Sequence, residues 1–213
     1  MKMKMETIHI AGQRFILHPY GAAFWTERKM LLVSDLHLGK AGHFRKHGIG
    51  IPQTGITKDY ERLDELCEEF CPETICFLGD LFHSEINKEF DLFTEWACAC
   101  ASQIILVAGN HDVIDHENYD RLEIKVTDDM LLDGIYMTHK PVDSVHINFA
   151  GHIHPGISLR GVGRMRVKVP CFYWDGKRLL FPAFGDLTGS VGIRPKKGHT
   201  VYALVDDEVI KME

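Results

Sequence analysis

Three apolar segments in the first half of the chain each run directly into a polar cluster, and this ordering limits what the chain can fold into. Residues 29–34 (KMLLVS) lead into Asp35-Leu36-His37. Residues 74–78 lead into Gly79-Asp80, and residues 103–108 lead into Gly109-Asn110-His111-Asp112. The segments between them have helical spacing. Ile56, Tyr60, Leu63, Leu66, Cys67 and Phe70 recur every three or four residues before Pro72 stops the pattern, and residues 90–100 form a second such stretch. Strand, helix, strand, helix, strand is therefore expected. In open α/β sheets ligands collect beyond the carboxyl ends of the strands, so the three clusters should converge.

The rest of the chain reads as β structure. Polar and apolar residues alternate over 7–17 and again over 22–25, which predicts a hairpin or meander. The second half offers short strands at 124–126, 135–138, 147–150, 164–169, 178–181 and 200–205, expected to pair mainly antiparallel. With no repeat or Pro/Ser-rich linker, residues 1–213 are expected to form one α/β domain: two packed sheets with helices outside. A net charge of -6 argues against broad electrostatic binding of nucleic acid. No segment is apolar and long enough to span a bilayer, and the Met-Lys-Met-Lys-Met start leads into no secretory segment, so a soluble cytoplasmic protein is expected. The six cysteines form no C-x-x-C pair and read mostly as small core residues.

Two further patterns complete the polar set: His139, and Gly151-His152-Ile153-His154. Asp35, His37, Asp80, Asn110, His139, His152 and His154 make two Asp, one Asn and four His, with His111 to spare. That set is large enough for two adjacent metal sites. Asp35 and His37 are one residue apart, as are His152 and His154, so extended backbone would put each pair on one side. Carboxylate mixed with imidazole suits Mn, Fe, Zn and similar ions better than Mg or Ca. A lone Asp after a strand is more often a cap, and a lone His more often a core or surface residue. Five such coincidences in one order make the metal reading the stronger one.

The order D-x-H, G-D, G-N-H-D, H, G-H-x-H resembles the calcineurin-like metallophosphoesterase superfamily from Val33 to His154. The resemblance implies a four-layer α/β/β/α sandwich of the metallophosphoesterase type. It also implies two divalent ions, manganese first, with zinc, iron and magnesium as alternatives. Asp35, His37, Asp80 and His154 would hold one ion, and Asp80, Asn110, His139 and His152 the other, with Asp80 bridging. Many members have His-Gly-His at the fourth motif, whereas here His139 stands in Met137-Thr138-His139-Lys140-Pro141 and His146 is a weaker alternative.

Gly79-Asp80-Leu81-Phe82-His83 resembles the second motif of double-strand-break repair nucleases in the superfamily, which implies that His83 assists His111. Residues 35–52 and 181–189 (FPAFGDLTG) resemble the small DNA ligase-associated (PdeM-type) branch. That branch implies a DNA-repair endonuclease or phosphodiesterase that works beside a DNA ligase and a helicase. A metal-bridging hydroxide would then attack phosphorus while His111 acts as general acid. Lys40 and Arg45, just after the first ligand pair, could bind a phosphate, Arg45 bidentately. Arg164, Arg166 and Lys168 alternate along an expected strand and share one face, a short basic stripe. A phosphatase, a cyclic-nucleotide or small-molecule phosphodiesterase, and a non-enzymatic scaffold on the same fold remain alternative readings.

Overall fold

The structure, a computed structural model, describes residues 3–40, 54–82, 88–161 and 166–212. Strands β1 (Glu6–Ile10), β2 (Gln13–Leu17), β3 (Ala23–Trp25) and β4 (Met30–Val33) form the expected antiparallel meander. From β4 the sheet continues in parallel through β5 (Thr74–Phe77), β6 (Gln103–Val107) and β7 (Lys125–Thr127). β7 overlaps the segment 124–126 that the sequence placed with the second half, yet it closes the first sheet.

Three described helices cover the outer face of this sheet: α1 (Thr54–Phe70), α2 (Lys88–Ala99) and α3 (His116–Asp120). Leu63 and Leu66 of α1, Phe93 and Ala97 of α2 and Tyr119 of α3 bury against Leu31, Val33, Ile75, Phe77, Ile104 and Leu106. The i, i+3, i+4 spacing read from the sequence is the stripe that meets this sheet. None of the described helices is long and apolar enough to cross a membrane.

The second sheet comprises β8 (Asp129–Leu132), β9 (Ile135–Thr138), β10 (Ile147–Ala150), β11 (Pro155–Arg160), β12 (Arg166–Trp174), β13 (Arg178–Leu180), β14 (Val191–Gly192), β15 (Thr200–Val205) and β16 (Glu208–Met212). Its order is β14-β11-β12-β13-β10-β9-β8, with β15 and then β16 branching from β12. The sheet is mixed. β9, β10 and β13 run parallel, as do β11 and β14, while the hairpins around them are antiparallel.

Between the sheets, Phe15, Trp25, Leu32 and Leu78 meet Met137, Phe149, Phe172 and Phe181, all buried. Phe149 lies edge-on to Phe15 with ring centroids 5.0 Å apart. A fully buried ring of this kind typically contributes about 3–5 kcal/mol relative to alanine. The result is the expected pair of packed sheets with helices outside. The cysteine expectation fares less well: Cys76 and Cys171 are buried, but Cys71 and Cys98 are exposed and Cys67 and Cys100 partly so. Helical spacing placed several of them in the right element without fixing how far they sit from its buried stripe.

β12 has two different halves. Cys171–Trp174 pairs with β13 and β15 inside the sandwich, whereas Arg166–Pro170 pairs only with β11. The burial pattern changes from mostly exposed to buried at Cys171. Beyond the short pairing of Pro155 and Gly156 with β14, β11 and the first half of β12 thus form a two-stranded arm at the margin of the sandwich.

Candidate metal centre

The first sheet delivers Asp35 and His37 after β4, Asp80 after β5, and Asn110 and His111 after β6. The second delivers His139 after β9, and His152 and His154 after β10. Pairing continues past the strand ends and fixes these loops. Asp35 N donates to Gly79 O, His37 N to Asp80 O, and Gly151 N to His139 O.

The side chains gather in two groups. Asp35, His37 and His154 form one, and Asp80, His139 and His152 the other, each with ligand atoms within 4.8 Å of one another. Asp80 faces both. Its Oδ2 is 3.9 Å from His37 Nε2, and its Oδ1 is 3.4 Å from His139 Nε2. Asn110 Oδ1 and His152 Nδ1 each lie 3.1 Å from His139 Nε2. A carboxylate with one oxygen turned toward each group is the arrangement a bridging ligand requires.

Asp35 gives the clearest test of whether cations fit. Its Oδ2 accepts hydrogen bonds from Ser34 Oγ at 2.6 Å and His152 N at 2.9 Å. Its Oδ1 is buried without a hydrogen bond of proper geometry, although His154 Nε2 is 3.1 Å away and His37 Nε2 and His139 Nδ1 4.0 Å away. Such an oxygen costs roughly 1–3 kcal/mol or more to bury unsatisfied, a cost that a coordinated cation would remove. Burial would raise the Asp35 carboxyl, but His154, Ser34 and His139 hold it below the usual carboxylate value. Burial, with His139 and Lys140, holds His152 below the usual imidazole value. Ionised carboxylate and neutral imidazole are the protonation states metal binding requires.

Three glycines make the approach possible. A Cβ on Gly79 would collide with the His139 ring, one on Gly109 with Asp80, and one on Gly151 with Ser34 and Asp35. The ligand backbone is also unusual. Asp35, His37, Asp80, His152 and His154 all have φ between 48° and 65°. For a non-glycine residue this left-handed conformation costs about 1–2 kcal/mol, and such strain clusters at functional sites. The extended backbone expected for D-x-H and H-x-H is therefore corrected: both ligands of each pair sit in left-handed turns.

The sequence profile of the calcineurin-like phosphoesterases matches residues 28–142. This chain belongs to the calcineurin-like phosphoesterase family. The family uses paired divalent ions, and the two groups around Asp80 supply donors for a pair. Among solved structures, the nuclease MPE of Pseudomonas putida is 30% identical over 94% of this chain and 97% of its own, with a TM-score of 0.82. The phosphoesterase Yfce of E. coli is 18% identical over 86% of this chain and 97% of its own, with a TM-score of 0.46. No curated protein sequence matches this chain.

Within this phosphoesterase frame, all seven expected ligands converge. His111 stands exposed at the rim, its ring centroid 5.8 Å from that of His37 and its N–H 3.0 Å from Asp80 Oδ1. Lys40 is half-buried, with Nζ 3.2 Å from Thr188 Oγ1. Burial lowers its ammonium below the ordinary value against the pull of Asp35 and Asp80. His83, Arg45 and Arg164 lie outside the described residues. His146 is exposed on the loop before β10 and belongs to neither ligand group.

Sequence reasoning missed the braces. Asp112 accepts backbone N–H groups from Asp80 at 2.8 Å, Gly109 at 2.8 Å and Phe82 at 3.1 Å, tying the loops after β5 and β6 together. Asn148, buried in β10, reaches Tyr136 O and Thr138 Oγ1 at 2.9 Å and accepts from Val142 N at 3.1 Å, holding both ends of the loop that carries His139. Asp112 stood in the third motif without a role. Asn148 had one available signal, an amide inside an apolar strand.

Proposed function

We propose that this phosphoesterase is a manganese-dependent phosphodiesterase that cleaves DNA internally, in the setting of DNA repair. The observation that carries the reading is Asp80, with one oxygen toward each imidazole group and an exposed His111 beside it. The likeness to a nuclease over nearly the whole chain supports the choice of substrate. Asp35, His37, Asp80 and His154 would hold one ion, and Asp80, Asn110, His139 and His152 the other. When bound, two such ions lower the pKa of a shared water and offset negative charge on the phosphoryl oxygens.

The chain's own groups do the rest. Ser34 and the His152 N–H fix the Asp35 carboxylate in one orientation. Asp80 accepts the His111 N–H, so the carboxylate between the two groups also positions the loop that carries the acid. Water adds to phosphorus as the P–O bond to the leaving nucleoside breaks, and His111 gives that oxygen its proton. General-acid help of this kind is worth roughly 10²–10⁴-fold. His37 and His139 are buried, whereas the His111 side chain reaches solvent, where a long substrate must lie. Lys40 is placed to meet a phosphate at the edge of the centre.

The test is purified protein with manganese on supercoiled plasmid, bis-nitrophenyl phosphate and nitrophenyl phosphate. Nicked plasmid and faster turnover of the diester are expected. Preference for the monoester would make it a phosphatase, and cleavage of none of the three would leave a scaffold.

A further inference from the structure

The arm formed by β11 and the first half of β12 has no part in the centre, yet it starts beside it. Pro155, its first residue, follows His154 directly. The register pairs Ile157 with Val169 and Leu159 with Val167 on one face, and Ser158 with Lys168 and Arg160 with Arg166 on the other. The apolar cross-strand pairs hold the ribbon together. Two arginines directly opposite one another work against it. Arg160, Arg166 and Lys168 are all exposed, and among the described residues no carboxylate pairs with any of them.

The surrounding sequence carries the same bias. The longest run in the chain without Asp or Glu extends from 144 to 174, in a protein whose net charge is -6. The next acidic residue after Asp175 is Asp186, which is already matched by Lys58 at 2.7 Å and Arg62 at 3.4 Å. The cationic face also connects to the centre. Gly156 lies on it, and a Cβ there would press on Ser190. Lys168 Nζ donates to the Ser190 carbonyl, and Thr188, two residues earlier, bonds Lys40. From Pro155 to Arg160 the strand runs about 17 Å at 3.3–3.4 Å per residue.

We infer that this arm is a rail for the DNA backbone: Arg160, Arg166 and Lys168 hold successive phosphates of the strand leaving the metal centre, with Lys40 at its near end. The inference rests on the nuclease reading given above. A DNA strand supplies the anions that would turn the Arg160–Arg166 repulsion into attraction. The acidic remainder of the surface would discourage other paths.

The experiment compares wild type with the Arg160→Ala/Arg166→Ala/Lys168→Ala variant. DNA affinity is measured across a salt series without manganese, and cleavage with it. Hydrolysis of bis-nitrophenyl phosphate, too small to reach the arm, checks that the centre is intact. The variant should bind DNA at least about tenfold more weakly, and the slope of log affinity against log salt should flatten by about 2, as expected when two or three phosphate contacts are lost. Small-diester turnover should stay at the wild-type rate.

Cleavage of DNA by wild type with unchanged affinity and slope in the variant would overturn the rail and keep the nuclease. Salt-sensitive binding through these cations without cleavage of any DNA would keep the rail and remove the nuclease. Neither binding nor cleavage by wild type would remove both. A variant that lost small-diester turnover is replaced by Arg160→Gln/Arg166→Gln/Lys168→Gln, which keeps the side-chain bulk and is judged by the same outcomes.

Discussion

The centre and the arm begin one residue apart, at His154 and Pro155, and are built in opposite ways. In the centre Asp35 Oδ2 and Asp80 Oδ1 are held by hydrogen bonds, the backbone is left-handed at five ligand positions, and three glycines sit where a Cβ would collide. The arm is ordinary extended ribbon whose two arginines are exposed, with Lys168 alone tied down, to the Ser190 carbonyl. The difference teaches how each should fail. A centre that depends on position loses function through any one member, whereas a rail that depends on summed charge loses it in small steps.

Asp80→Ala should have the largest effect, because one side chain serves both groups. Bound manganese, counted by elemental analysis, and phosphodiester turnover should both fall to background. Wild-type values for either would break the assignment. His111→Ala comes next: it should retain its ions and lose roughly 10²–10⁴-fold in turnover, the range for a missing general acid. Loss of ions there would mean that the residue is a ligand.

Gly151→Ala tests whether space is as decisive as chemistry. Its methyl must displace Ser34 and Asp35, so manganese affinity should fall by tenfold or more in a titration although no ligand has changed. On the arm, Arg166→Ala alone should weaken DNA binding by only a few-fold, and a drop as large as that of Gly151→Ala would erase the contrast.

The smallest effect concerns Asp59, outside both regions, which ties α1 to the loop after β13 by accepting the Asp186 N–H at 3.0 Å. Burial raises its carboxyl from 3.8 to about 7. The folded chain therefore holds a proton there that the unfolded chain releases, and stability drains away as pH rises from about 4 through 7. Asp59→Asn removes that loss. Its urea midpoint should gain on wild type between pH 4.5 and 7, and a constant difference would show that Asp59 titrates normally.

Much of the centre could be read in the sequence because apolar strands deliver polar clusters at one sheet edge, and that regularity is local. Asp35, Asp80 and Asn110 each follow a strand whose composition marks it. The left-handed turns were hidden, since an Asp or His at one-residue spacing looks the same whether the chain is extended or kinked. Asp112 and Asn148 were hidden for another reason: Asp112 ties its own loop to the distant one after β5, and Asn148 reaches across to the neighbouring strand and the loop between them, contacts that no motif spacing encodes. No strand is named over 155–160, where β11 opens on Pro-Gly, so Arg166 and Lys168 share a face in the sequence without their cross-strand neighbour Arg160. The parallel pairing of β9, β10 and β13 escaped notice because no helix separates those strands to announce a crossover.

The seven ligand candidates are split between the two layers of the sandwich, four from the first sheet and three from the second. Ions seated among them would act as fasteners at the rim, so melting the protein would mean expelling its metal. Heat resistance and metal supply would then be linked. At a free ion concentration a hundred times the dissociation constant, occupancy of one site adds about 2.7 kcal/mol to folding. A cell short of the ion would hold an enzyme that is not just idle but also easier to unfold and degrade.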